Sequence, residues 1–152
     1  MTATITAPTP GSPSASMDSA TAFAAIALAA VSWDGVLSMA GSRALRHALD
    51  YRHPYHDFGD ERMVGLMNEL LLQLRRQGAQ HLMVEAAAAL NPSQRATAYA
   101  MAAEIMRSDG PLQDDETNIL TNLAITLELE EELTDRVRSV MDLLHADVVL
   151  NG

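Results

Sequence analysis

The chain has 152 residues, a formal charge of −10, no cysteine and no lysine. Its length suits one domain with a hydrophobic core, and the missing thiols exclude disulfide staples, thiolate zinc sites and cysteine nucleophiles. Its acidity disfavours general binding to nucleic acid or anionic membrane, and leaves divalent cations and basic partner proteins as the better electrostatic matches.

The N-terminal stretch MTATITAPTPGSPSAS, residues 1–16, is uncharged and rich in Thr, Pro and Ser. It buries too little apolar surface to order itself, so a flexible tail is expected there, followed by a helical domain over 17–152. The apolar run from Ala22 to Val31 has no Lys or Arg before it, and Trp33-Asp34 follow it. It therefore makes a poor signal peptide, and it is too short to span a bilayer. A cytoplasmic protein without a transmembrane segment is expected.

Ala, Leu and Met supply the apolar content, and all three favour helices. The first predicted helix runs from Met17 to Trp33, with Phe23, Ile26, Ala27 and Ala30 on its inner face. After the turn Asp34-Gly35-Val36-Leu37, Ser38 caps a second helix to Tyr51, with Leu45, Ala48 and Leu49 inward. Pro54 and Gly59 mark residues 52–59 as a loop. Asp60 is read as the cap of an amphipathic helix that buries Met63, Leu66, Met67, Leu70, Leu71 and Leu74 and ends at Gly78. A short helix covers Gln80 to Leu90. Asn91-Pro92 starts another, which reaches Ser108. Beyond Asp109-Gly110-Pro111-Leu112, a sixth helix buries Ile119, Leu120, Leu123 and Leu127. A seventh turns Leu133, Val137, Val140, Met141 and Leu144 inward. The expected fold is all-α, a single compact bundle of about seven helices.

Two segments repeat one pattern: AAIALAAVSWDGVLSMAG, from Ala24 to Gly41, and YAMAAEIMRSDGPLQDDE, from Tyr99 to Glu116. Each places an Ala-rich helix before Asp-Gly, an apolar residue two positions after the glycine, and a new helix beyond. Gly35 and Gly110 suit the left-handed conformation that ends helices, and Pro111 prevents simple continuation. The bundle is thus read as two pseudo-symmetric helix–Asp-Gly–helix halves. The aspartates invite explanation, because a carboxylate at a helix C-terminus faces the negative end of the dipole. The segment from Asp109 onward holds eleven acidic residues against Arg136 and Arg138, so negative charge gathers at that end.

This arrangement resembles the TerB-like family of tellurite-resistance proteins: an Ala-rich helix, an Asp-Gly turn, and a Glu seven residues beyond the Asp. Asp109, Gly110, Leu112 and Glu116 match that pattern. Asp34, Gly35 and Leu37 match in the first unit, where Gly41 stands in the place of the acid. The likeness covers roughly residues 20 to 145. It implies a helical bundle of two related halves, a part in tellurite and chemical-stress responses, and in some members a divalent cation held by acidic residues near the turns. A related module accompanies J-domains in some membrane-associated co-chaperones.

The resemblance carries over to Asp34, Asp109 and Glu116; with Asp115 beside them as a further ligand, and Asp114 as another candidate, they make the expected metal set, and the ion is Ca, Mn or Mg. Two or three carboxylates make a weak, partly hydrated site, since calcium wants six to eight oxygens, and the spacing is not that of an EF-hand. The plainer reading of Glu116 is a helix-capping residue at the third position after Gln113. The run Glu128, Glu130, Glu131 and Glu132 reads as a solvated helix start or a docking face for a basic partner. His53 and His56, with Asp57 nearby, read as an incidental loop pair. No helix carries Glu-x-x-His, and no phosphate loop, zinc-protease helix or Ser–His–Asp pattern is present. The expectation is a non-enzymatic protein without catalytic residues that binds a protein partner, a second copy of itself included. Its alternative is a metal-independent structural or interaction module.

Overall fold

The computed structural model describes residues 17–108 and 110–148. The expected tail, 1–16, and the candidate ligand Asp109 lie outside the described residues. Seven α-helices and no strand occur among the described residues: α1 Ser19–Val31, α2 Met39–Asp50, α3 Asp60–Gln77, α4 Ala79–Ala88, α5 Pro92–Arg107, α6 Asp114–Thr126 and α7 Glu131–Leu144. The fold is an all-α bundle, and none of these helices is long and apolar enough to cross a membrane.

α1 is the axis of the bundle. The Asp18 side chain caps it, accepting from the Thr21 N–H at 2.7 Å. Every residue from Ala22 to Ala30 is buried, because α2, α3, α4, α5 and α6 all pack around it. The spacing had predicted a single inner face, so this is a correction. Alanines occupy so much of the helix that neighbours approach its backbone from all sides without leaving voids. Helix burial on every side removes the amphipathic signature.

The remaining elements follow local chemistry. Ser38 Oγ accepts from the Gly41 N–H at 2.9 Å and starts α2. Asn91 and Gln94 start α5 with a reciprocal capping box at 2.8 and 2.9 Å. Gly78, at φ +91°, ends α3 and leads directly into α4. At α3 the expected cap is displaced. Asp60 is the first helical residue, and its carboxylate accepts from Arg46 Nη2 at 3.2 Å. It still sits favourably at the positive end of the helix dipole.

The predicted loop after α2 contains a 3₁₀ turn, Tyr55–Asp57. Tyr55 is buried there; its hydroxyl donates to the Ala20 carbonyl, its ring stacks against Phe23, and Phe58 meets it edge-on.

α7 departs most from expectation. Val137 and Met141 pack against the core, but Val140 and Leu144 are 54% and 62% exposed. The covered side of α7 runs instead through Thr134, Arg138, Met141 and His145. Arg138 Nε donates to the Tyr99 hydroxyl at 2.9 Å, and His145 Nε2 lies 2.7 Å from Glu104 Oε1. Polar links to α5 thus shift the covered side part of the way round from the apolar stripe, with Val137 and Met141 common to both.

Candidate functional site

A cleft of about 560 Å³ opens at the C-terminal end of α1, between the first Asp-Gly turn, the start of α2, and α6. Its buried lining is Ala30, Ile105 and Met106. Three of the four candidate ligands line the same cleft: Asp34 from the turn, and Asp115 and Glu116 from the first turn of α6. Trp33, the only tryptophan, is half-buried and lines it too.

Local backbone chemistry places each carboxylate. Asp34 Oδ1 accepts from the Val36 N–H at 3.0 Å, closing a turn over Gly35 at φ +85°. Glu116 Oε1 accepts from the Gln113 N–H at 2.9 Å, which makes it the capping residue that its spacing indicated. Asp115 Oδ1 accepts from the Glu116 N–H at 3.0 Å. Each carboxylate thus spends one oxygen on the fold. The three do not draw together: among the described residues, only His53, His56 and Asp57 form a group of three or more ligand side chains with donor atoms within 4.8 Å of one another.

The two units use one position differently. Met39 and Asp114 begin α2 and α6 at the same 75-residue separation as Asp34 and Asp109, which aligns Ser38 with Gln113 and Gly41 with Glu116. In the first unit the cap side chain, Ser38, reaches forward to the backbone of Gly41. In the second, the side chain of Glu116 reaches back to the backbone of Gln113. A Cβ at Gly41 would lie 3.1 Å from Ser38 Oγ, so the absent acid at Gly41 follows from a different solution to the same helix start.

Sequence reasoning missed Asn118 and Asn122, which add neutral amides to the cleft. The signal was available: Asp115, Asn118, Ile119 and Asn122 are spaced as one face of a helix. None of the described residues lining the cleft is basic. Trp33, expected at the core or its rim, stands at that rim. No family model, curated protein or solved structure matches this chain.

Proposed function

We propose that this chain is a non-enzymatic, TerB-like binding module of the cytoplasm that serves a tellurite or chemical-stress response by holding a partner protein in the cleft between α1, α2 and α6. One observation carries the reading: Asp34, Asp115 and Glu116 share a cleft whose buried lining is apolar. An apolar pocket with a few convergent polar groups is the usual form of a recognition site. Among the described residues, the cleft lining is acidic and holds no basic side chain, which selects a basic, amphipathic segment, with apolar side chains entering the cleft and Arg or Lys facing the carboxylates.

Trp33 provides the test. Titrating the full chain with an Arg-bearing amphipathic peptide should give a saturable fluorescence change that weakens with salt. The change should diminish in Asp34→Asn and Asp115→Asn, which remove charge but keep the hydrogen-bond acceptor. An equal response to a Glu-bearing peptide of the same hydrophobicity would refute the reading.

A second reading rests on the motif residues: Ca, Mn or Mg is bound by Asp34, Asp109, Asp115 and Glu116. Calcium or manganese would then change the Trp33 signal on its own, and Asp109→Ala would abolish that change. A response to peptide without any response to cation would leave a metal-independent interaction module.

A further inference from the structure

At the other end of α1, the 3₁₀ turn presents a different kind of site. We propose that His53, His56 and Asp57 form a surface binding site for a borderline transition-metal dication, with zinc as the first choice. The inference is independent of the cleft.

Three observations lead to it. The donor chemistry is two imidazole nitrogens and a carboxylate oxygen, a set that suits zinc, nickel or copper and is poor for calcium and magnesium, which take oxygen donors. The spacing fits as well. His56 Nε2 lies 3.3 Å from Asp57 Oδ1 and His53 Nδ1 lies 3.6 Å from the other oxygen, Oδ2, while one donor atom from each of the three residues falls within 4.8 Å of the others, so small side-chain rotations bring the set to metal spacing. Donors of a tetrahedral site with bonds of about 2.1 Å stand about 3.4 Å apart.

The third observation is how the donors are held. His56 and Asp57 flank no free loop: Tyr55, beside them, is anchored in the core through Phe23, Phe58 and the Ala20 carbonyl. Backbone bonds from His56 N to the Arg52 carbonyl and from Asp57 N to the Pro54 carbonyl, each 3.0 Å, fix the turn. Little backbone ordering therefore remains to be done when a metal arrives. Without metal, Asp57 serves as an ordinary partner for two imidazoles. With metal, the three side chains leave at least one coordination position for water or for a donor from a second molecule. All three are exposed, so the site is weak and exchangeable.

The test is a zinc titration of the full chain, followed by calorimetry and by the imidazole NMR signals of its five histidines. One saturable equivalent is expected, shifting His53 and His56 together while His47, His81 and His145 stay in place. His53→Ala and His56→Ala should each weaken binding at least about tenfold, the lower end of what loss of a mere outer-shell partner costs. Asp57→Asn should weaken it too. Because the three side chains are exposed, helical circular dichroism and the urea midpoint should be unchanged in these variants. No saturable zinc binding, unchanged affinity in His56→Ala, or an equal response of His53 and His56 to calcium would overturn the proposal.

Discussion

α1 and α7 are nearly equal in length, yet they relate to the core in opposite ways. α1 is apolar on all sides and is enclosed by five other helices. α7 has a clear apolar stripe, but Val140 and Leu144 on it remain mostly exposed, as does Leu143 beside it. The contrast shows that amphipathic spacing and burial are separate facts. A central helix is buried because neighbours surround it, and it then needs no polar side. A peripheral helix is placed by whichever contacts reach it, and here these are Arg138 on Tyr99, His145 on Glu104 and Arg107 on Asp142. Apolar positions beside those links are left facing outward.

This difference is open to direct attack. Leu28 is fully buried in α1, so Leu28→Ala should cost about 2–5 kcal/mol in urea unfolding. A loss under about 1 kcal/mol would show that the axis helix is not the tightly packed element described here. Tyr99→Phe removes the acceptor for Arg138 Nε, and leaving that charged donor unpartnered should cost about 1–3 kcal/mol. Hydrogen exchange should then rise in α7 more than in α1, and equal acceleration in both would break the distinction.

Asp18→Ala, at the cap of α1, should cost about 1 kcal/mol. The Thr21 backbone N–H, bonded to the Asp18 carboxylate, holds its pKa below the ordinary 3.8, with the Thr21 side chain and Arg62 adding to the effect against a small burial penalty. A depressed folded value stabilises the native state above the unfolded pKa and loses that contribution as pH falls through the folded value. The wild-type acid limb below about pH 3.8 should therefore be steeper than that of Asp18→Ala. Identical limbs would remove the cap from the account. The smallest effect belongs to the exposed apolar residues of α7: Leu143→Ala and Val140→Ala should each stay within about 0.5 kcal/mol of wild type. A larger loss in dilute monomer would mean that α7 packs more deeply than its exposure indicates.

Local signals did most of the work in placing the helices. Ser38, Asn91-Pro92, Gly78 and the Gln113–Glu116 spacing each act within one turn of chain, so their consequences are legible without neighbours. Asp60 was misplaced by one position because an aspartate also serves inside the first helical turn, where the dipole favours it equally. The burial of Tyr55 is not legible locally, because it depends on Phe23 and Ala20, some thirty residues away in sequence.

The candidate cleft divides in the same manner. The repeat singles out Asp34 and Asp109 as chemically unusual, and the Glu116 cap follows from spacing alone. That these residues line a common cleft with Trp33 and Met106 depends on how α5 and α6 meet the end of α1. The His53–His56–Asp57 group likewise needed an anchored turn to bring its donors together.

By itself the sequence determined that the chain is helical, to within about two residues where its helices start and stop, and that its negative charge gathers late in the chain. These properties rest on short-range hydrogen bonds, side-chain propensity and simple charge counting. Which helix lies at the centre, which side of α7 is covered and which carboxylates become neighbours were decided only by the tertiary structure. Those outcomes depend on competition among distant surfaces for the same contact, and no single segment carries that information.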